Sequence, residues 1–204
     1  MTMAITAPTA NIGRKLVAEL QAGTDHEIIL LARDPKKLTS ETARGAKVYP
    51  GDLNDSAYVT EATQGVDALF WLIPADFTQG NLRAYHNHIA RAGADAVRAN
   101  QIKHTMLSSS LGAQPRDGTG PVVGLLDAEA IFKAATPHLT ILRPTYFMEN
   151  YFLQLDTIRE SHAVFLAIPA DQRMAMIATV DIATTAANVL TALPPSGVRV
   201  LELL

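Results

Sequence analysis

The chain has 204 residues, 48% of them hydrophobic, which is enough to bury a large core, and we expect one domain over residues 1–204. Its formal net charge of −3 offers no basic surface for nucleic acid, and the lack of cysteine excludes disulfides, thiolate nucleophiles and cysteine-bound metals. No apolar run approaches the ~20 residues of a membrane span and the N-terminus lacks a signal-peptide layout, so we expect a cytoplasmic protein without membrane contact.

The first twenty residues predict the opening of a dinucleotide-binding βαβ unit. A short strand from Ala4 leads into a turn of small residues and then a helix with apolar positions at Ile12, Leu16 and Leu20. The N–H groups at the start of such a helix, together with the positive end of its dipole, can hold a pyrophosphate without any charged side chain.

The turn fits the spacing of the three-glycine dinucleotide fingerprint, but only the third glycine, Gly13, is present. Alanine occupies the first two positions, at Ala7 and Ala10, and Pro8 removes one N–H donor. Gly13 retains the close packing of helix on strand, whereas the methyl group of Ala10 is expected near the phosphate path. The alternative is a helix N-terminus that packs against the sheet and binds nothing.

The end of the second strand predicts the choice of cofactor. Residues 27–32 are predicted to form a largely apolar, buried parallel strand, and Arg33 follows directly. An acidic residue at this point binds the 2′-hydroxyl of NAD, whereas arginine suits the 2′-phosphate of NADP. Arg33, with Lys36 and Lys37 nearby, therefore favours NADP(H) over NAD; the alternative is a solvated basic loop.

Two further strands are predicted to end at the same edge of the sheet. The third strand, 46–49, leads to Asp52, whose carboxylate is expected near the adenine. Alternatively it caps the following helix, although Asn54 or Asp55 could form that cap instead. The fourth strand, 66–74, ends at Pro74 and Ala75, which we expect to line the cofactor crevice.

The rest of the chain predicts an alternation of helices and strands. His86 and His88 lie two residues apart on one helix and so face different ways, which argues against a shared metal site. The loop 114–121 is rich in Pro, Gly and Asp, and we expect it to be mobile and near the active cleft. The predicted elements are helices at 80–99, 127–135 and 181–193 (the last with an apolar stripe ending at Leu193), a helix following the turn at 143–150, and strands at 102–107, 138–142 and 198–203.

The order of motifs along the chain resembles the NmrA-like branch of the atypical short-chain dehydrogenase/reductases. Each motif is short, but together they extend over nearly the whole chain in the order typical of that family. The matching segments are residues 4–13 (an altered TGATGxxG opening), 31–38 (VRDPxKL), 51–55 (GDLxD), 65–70 (GVDALF), 107–113 (LSSLGA), 140–150 (TILRPxxFMEN) and 180–183 (VxDIA).

The resemblance implies an α/β fold, a Rossmann-type doubly wound parallel sheet with helices on both faces and a reduced C-terminal substrate lobe. It also implies that NADP, in preference to NAD, lies across the C-terminal edge of the sheet. Tyr146 and Phe147 are implied at the substrate pocket. The residues implied at the cofactor are Ala7, Thr9, Asn11, Ile12 and Gly13 around the pyrophosphate, Arg33 at the 2′-phosphate, Asp52 and Leu53 by the adenine, Ile73, Pro74 and Ala75 along the cofactor, and Ser109 near the nicotinamide.

Several departures from the family bear on activity. No tyrosine has a lysine four residues later, so the usual Tyr-x-x-x-Lys proton donor is missing; Glu129-x-x-x-Lys133 has the spacing but is typical of an ordinary helix contact. Leu125 stands where many relatives place a histidine or lysine, and leucine cannot move a proton. The chain also stops at the strand around Val200, where relatives usually continue, so the pocket is expected to be open or completed by a partner chain.

Three functional interpretations remain open at this point, and none assigns a catalytic or metal-binding residue. The first is an NAD(P)H-dependent reductase of a quinone-like or carbonyl acceptor, in which the protein mainly positions the nicotinamide. The second is a non-catalytic dinucleotide sensor that acts through protein partners, as some relatives of the family do. The third keeps the fold without the nucleotide. A homo-oligomer is compatible with each.

Overall fold

The computed structural model describes residues 1–23, 25–113, 120–166, 168–169 and 171–204. The strands are β1 (Thr2–Thr6), β2 (Glu27–Ala32), β3 (Lys47–Pro50), β4 (Ala68–Leu72), β5 (His104–Ser108), β6 (Leu139–Pro144), β7 (Tyr146–Phe147), β8 (Met176–Ile177) and β9 (Val198–Leu203). The α-helices are α1 (Asn11–Gly23), α2 (Thr39–Ala43), α3 (Ser56–Ala62), α4 (Leu82–Asn100), α5 (Val123–Lys133), α6 (Leu155–Ser161) and α7 (Thr179–Thr191), with 3₁₀ helices at Pro35–Leu38, Gly120–Val122 and Met148–Gln154.

Seven strands form one parallel sheet in the order β3-β2-β1-β4-β5-β6-β9. The chain runs outward from β1 to β3 and then returns to β4 on the other side of β1, so the connections change direction between β1 and β4. Ligands of open α/β sheets bind outside the carboxyl ends of the strands at such a point. The predicted doubly wound sheet is therefore confirmed, and β2 and β9 have the predicted bounds.

Helices cover both faces of the sheet, as predicted. On one face, α3, α4 and α5 pack over buried strand side chains such as Trp71 of β4, whose ring centroid is 6.0 Å from that of Phe132 in α5. On the other face, α1 and α7 pack over buried strand residues such as Ile5 and Phe70. Successive residues of the central strands point to opposite faces, both of which are covered, so β4 is apolar along its whole length.

The chain after β6 differs from the sequence prediction in two places. The segment following the turn at 143–150 forms β7, which pairs with β8 in a small parallel sheet, and then a 3₁₀ helix, before α6 begins. The last helix ends at Thr191, so Leu193 lies beyond it and is 92% exposed. Pro194 and Pro195 follow, and a residue before proline is driven out of the helical conformation, which ends the apolar stripe early.

The two histidines of α4 face different ways, as predicted. His86 is buried, whereas His88 is exposed and its Nε2 lies 2.9 Å from the carbonyl oxygen of Asn54. Across the described ranges, no three His, Cys, Asp or Glu side chains are grouped as metal ligands, and no helix is long and apolar enough to cross a membrane. Residues 114–119 of the loop predicted to be mobile lie outside the described residues.

Candidate functional site

The turn between β1 and α1 is tight in spite of its altered glycines. Ala7 adopts a left-handed backbone conformation with φ of 48°, and its carbonyl oxygen accepts a hydrogen bond from the N–H of Ala10 at 3.0 Å. A left-handed conformation costs an alanine roughly 1 kcal/mol, so the surrounding packing must hold it in place. The chain thus keeps a glycine-type turn at the first fingerprint position without the glycine.

Gly13 explains how the helix approaches this turn so closely. A Cβ atom on Gly13 would lie 2.2 Å from the carbonyl oxygen of Ala7, far inside any tolerable contact, and that oxygen belongs to rigid backbone. The packing role predicted for the third glycine is therefore confirmed. Asn11 and Ile12, with Gly13, form the first turn of α1, whose N–H groups have no intrahelical acceptor.

An open cleft of about 200 Å³ lies at the carboxyl ends of β1, β2 and β4, beside this turn. Pro8 is buried and Ala10 is half-buried, and both form the wall of the cleft without filling it. The substituted turn therefore leaves room for a ligand next to the first turn of α1. The residues lining this first cleft are Ala7, Pro8, Thr9, Ala10, Leu31, Ala32, Arg33, Asp34, Lys37, Gly51, Asp52, Leu53, Pro74, Tyr85 and Ile89.

Two cations stand at one end of the first cleft. Arg33 and Lys37 are exposed and line it, and within the described part of the chain neither is in a salt bridge. The neighbouring carboxylate, that of Asp34, is already engaged, since it accepts the N–H of Lys36 at 3.0 Å and caps the 3₁₀ helix Pro35–Leu38. Asp34 keeps its negative charge, so two cations face one carboxylate here, and the net positive charge suits an anionic group.

Asp52 lies at the cleft wall and does not cap α3, so the capping alternative is wrong. Its Oδ1 accepts hydrogen bonds from the backbone N–H and the side-chain amide of Asn54, at 2.9 and 2.8 Å. Asp55 caps α3 instead, accepting the N–H groups of Ala57 and Tyr58. The first cleft also has an apolar part, which is lined by the side chains of Leu53, Tyr85 and Ile89.

A second cleft, of about 410 Å³, lies further along the same sheet edge, at the carboxyl ends of β5 and β6. Tyr146 and Phe147, which the resemblance implies at a substrate pocket, line it, and the ring of Tyr146 packs against that of Tyr151 with centroids 6.1 Å apart. None of its described lining side chains carries a charge. They are Ser110, Leu111, Gly112, Val122, Pro144, Thr145, Tyr146, Phe147, Asn150, Met174 and Ala175.

Ser109 points away from both clefts and into a buried charged cluster. Its hydroxyl donates to Oε1 of Glu129 at 2.7 Å, and the guanidinium of Arg143 contacts the same carboxylate through two hydrogen bonds. Burial on its own would raise the pKa of Glu129, but the hydrogen bonds from Arg143 and Ser109 outweigh it and hold that pKa below its ordinary value. Lys133 contacts the carboxylate at 3.4 Å, so the helix contact expected from the spacing is only the weakest part of the cluster.

A second charged junction joins α1 to the wall of the second cleft. The carboxylate of Glu149 accepts hydrogen bonds from the ammonium of Lys15 at 2.5 Å and from the backbone N–H of Thr179 at 2.9 Å. Burial opposes the charge of Glu149, yet the hydrogen bonds from Lys15 and Thr179 lower its pKa to about 2. This junction was not predicted from the sequence, because nothing in the spacing of three such distant residues indicates it.

The predicted site residues thus divide into three sets. The first cleft is lined by Ala7, Thr9, Arg33, Asp52, Leu53 and Pro74, and the second by Tyr146 and Phe147. Ile73 is buried in the core and Ala75 is exposed, both outside either lining. In the first turn of α1, Asn11 is exposed and Ile12 and Gly13 are buried, and these three do not line the first cleft. Leu125 belongs to α5 and packs against the core. Ser110, and not Ser109, carries the serine hydroxyl at the second cleft.

A helix N-terminus beside the change of direction of a parallel sheet, next to an open cleft, defines the class as a Rossmann-type dinucleotide-binding protein. The family model described as NAD(P)H-binding matches residues 9–193, and the chain belongs to this family. The resemblance drawn from the motifs is thereby confirmed.

Two curated relatives match nearly the whole chain. Quinone oxidoreductase 2 of Escherichia coli is 28% identical over 93% of this chain and 64% of its own length. An NAD(P)H azoreductase of Xenophilus azovorans is 26% identical over 92% of this chain and 62% of its own length. The chain therefore spans a little less than two thirds of the length of these relatives.

Solved structures match at the level of the fold. The NADPH-dependent quinone oxidoreductase of Escherichia coli, complexed with NADPH, has a TM-score of 0.84 at 26% identity and covers 98% of this chain and 68% of its own. Triphenylmethane reductase of Citrobacter sp., complexed with NADP(H), has a TM-score of 0.86 at 19% identity and covers 100% of this chain and 70% of its own.

Proposed function

We propose that the chain is an NADPH-dependent reductase that binds the dinucleotide in the first cleft and a quinone-like acceptor in the second. The observation that supports this most directly is the placement of both clefts at one sheet edge, on either side of the end of β4. A dinucleotide laid along this edge with its pyrophosphate at α1 has its adenine end toward Asp52 and Leu53 and its nicotinamide end toward the second cleft.

The chemistry of the second cleft favours a flat, neutral acceptor. Its described side chains are apolar, aromatic or uncharged polar groups, which suit a quinone better than a charged substrate. Bound NADPH supplies a hydride; a quinone that takes it up with one proton from water becomes a hydroquinone, and NADP⁺ remains. Because a quinone accepts a hydride with little help from a protein acid, the missing Tyr-x-x-x-Lys pair and the apolar Leu125 do not prevent the reaction.

The relatives support the same class of acceptor. They include a quinone oxidoreductase and an NAD(P)H azoreductase. The first name specifies a quinone and the second specifies an azo compound with NAD(P)H, and the uncharged second cleft suits such conjugated molecules. The expected preference for NADPH rests on Arg33 and Lys37 at the first cleft, with the Asp34 carboxylate occupied as a cap.

A dinucleotide sensor is the second candidate function, favoured by the orientation of Ser109. The hydroxyl predicted near the nicotinamide donates inward to Glu129, so no described acid other than the phenol of Tyr146 lies at the second cleft. A sensor would bind NADPH and act through a protein partner without turnover. The cytoplasmic setting and a homo-oligomer stay predictions.

Oxidation of NADPH by the purified chain, followed with and without a simple benzoquinone, separates the two functions. We expect acceptor-dependent NADPH consumption with matching formation of hydroquinone. Tight NADPH binding without turnover on quinone, azo or carbonyl acceptors would instead support the sensor. A protein that fails to bind NADPH at all would contradict both.

A further inference from the structure

Glu149 connects three parts of the fold that bear on the proposed reaction. It lies in the 3₁₀ helix Met148–Gln154, between Phe147 and Asn150, both of which line the second cleft. Its carboxylate is 13% exposed and contacts Lys15 of α1, the helix whose first turn adjoins the first cleft. The same carboxylate therefore touches the element that borders each cleft.

The N-terminus of α7 completes this junction. Both carboxylate oxygens of Glu149 accept the backbone N–H of Thr179, at 2.9 and 3.0 Å, and the Thr179 hydroxyl also donates to Oε1. Lys15 donates to the Thr179 hydroxyl oxygen as well, at 2.6 Å, so the three groups form a closed triangle. Thr179 is fully buried at the first residue of α7, which packs on α1.

A closed triangle of this kind fixes distances better than a single surface ion pair does. An exposed ion pair is worth little because its side chains are flexible and screened, whereas Glu149 is mostly buried and makes charge-assisted hydrogen bonds to two elements. The rigid backbone N–H of Thr179 orients the carboxylate, and the carboxylate in turn orients the ammonium of Lys15. The wall of the second cleft is thereby held at a set distance from α1.

We propose that Glu149 is a positioning residue for hydride transfer, which sets the acceptor cleft at reacting distance from the dinucleotide bound at α1. This inference rests on the proposed function and adds to it a residue that touches neither the dinucleotide nor the acceptor. Hydride transfer needs donor and acceptor atoms roughly 3–3.5 Å apart, and a misplacement of about 1 Å can cost on the order of 100-fold in rate. We therefore expect loss of the junction to lower the rate of turnover strongly and the affinity for the cofactor much less.

The test compares Glu149→Gln with a matched control, Asp67→Asn. Asp67 likewise accepts hydrogen bonds from a lysine ammonium, that of Lys103 at 2.8 Å, and from a backbone N–H, that of Thr2 at 3.0 Å. It lies at the amino ends of the strands, away from both clefts. We expect Glu149→Gln to bind NADPH within about threefold of the unmodified protein while its single-turnover rate of quinone reduction falls roughly 10- to 100-fold. Asp67→Asn should retain that rate, measured well below both unfolding temperatures.

Lys15 offers a second pair of variants. Lys15→Arg keeps the cation and should retain most of the single-turnover rate, whereas Lys15→Met removes it and should resemble Glu149→Gln. Equal rates in Glu149→Gln and Asp67→Asn would overturn the positioning role alone, since the unmodified protein would still be a reductase. An unmodified protein that binds NADPH but reduces no acceptor would overturn the reductase function, and this inference with it.

Discussion

The guanidinium of Arg143 holds the carboxylate of Glu129 through two parallel hydrogen bonds, from Nε to Oε1 at 2.9 Å and from Nη2 to Oε2 at 2.7 Å. Glu129 is fully buried in α5, and Arg143 lies near the end of β6. The hydroxyl of Ser109, just beyond β5, donates to the same carboxylate. The ion pair therefore joins α5 to β6, and the hydrogen bond from Ser109 joins the same carboxylate to the end of β5, beside the second cleft.

Removal of this carboxylate should destabilise the fold severely. Glu129→Leu leaves the hydroxyl of Ser109 without its partner and the guanidinium of Arg143 with only Glu202, whose Oε1 lies 3.6 Å from its Nη1. Breaking a buried pair costs about 3–5 kcal/mol. Urea unfolding followed by circular dichroism measures the loss. Glu61→Leu, an exposed position on α3, is the control and should change the free energy of unfolding by no more than about 0.5 kcal/mol. A loss below about 1 kcal/mol in Glu129→Leu would contradict the assignment.

Gly13→Ala should displace α1 from the turn and abolish NADPH binding. The added Cβ would lie 2.2 Å from the carbonyl oxygen of Ala7, so the helix must move away from the cleft. Gly23→Ala, at the end of the same helix, adds a Cβ that meets nothing within 4 Å and serves as the control. Calorimetric titration with NADPH checks both variants. Unchanged affinity in Gly13→Ala would show that the dinucleotide does not use this turn.

Arg33→Ala should remove the preference for NADPH over NADH. A hydrogen bond to a charged group is worth about 1.5–3 kcal/mol, so we expect NADPH affinity to fall about 10- to 100-fold while NADH affinity hardly changes. Fluorescence titration with each cofactor measures this. Arg98→Ala is the control, because Arg98 is at the far end of α4 and pairs with Asp95. Equal affinity of the unmodified protein for the two cofactors would refute the role of Arg33.

Acid should weaken the Glu149 junction in a defined range of pH. The pKa of Glu149 is lowered from 4.5 to about 2, so its ionised form stabilises the fold above pH 4.5, and this stabilisation is lost as the pH falls toward 2. Asp127, with a pKa lowered to about 2 by Arg83, contributes in the same range. The free energy of unfolding of Glu149→Gln should therefore fall less steeply with acid than that of the unmodified protein. Parallel curves for the two proteins would contradict this prediction.

Most of the fold could be predicted because its signals are local. The apolar run of β2, the alternation of strands with helices and the single remaining fingerprint glycine, Gly13, each constrain a few neighbouring residues. The family motifs then set the order of the elements. Even the first cleft follows from this reasoning, because strand ends of a parallel sheet meet at one edge.

The rest of the site depends on contacts between residues distant in sequence. The spacing of Glu129 and Lys133 predicts a helix contact between them, but gives no indication that Arg143 is the closer partner of Glu129. Ser109 and Ser110 are adjacent, and only the twist of the chain after β5 decides which of them lies at the second cleft. Neither the partner of Glu129 nor the serine at the second cleft can be predicted from the spacing of residues along the chain.

The parallel sheet also has a kinetic consequence. Its neighbouring strands are joined by crossovers and never by hairpins, and β1 pairs with β4 across a long stretch of chain: Thr2 and Asp67, which are hydrogen bonded, are 65 residues apart. Each strand pairing must close a long loop before it gains stability, which slows folding. We expect refolding in the millisecond-to-second range or slower, with the β1–β4 contact formed late.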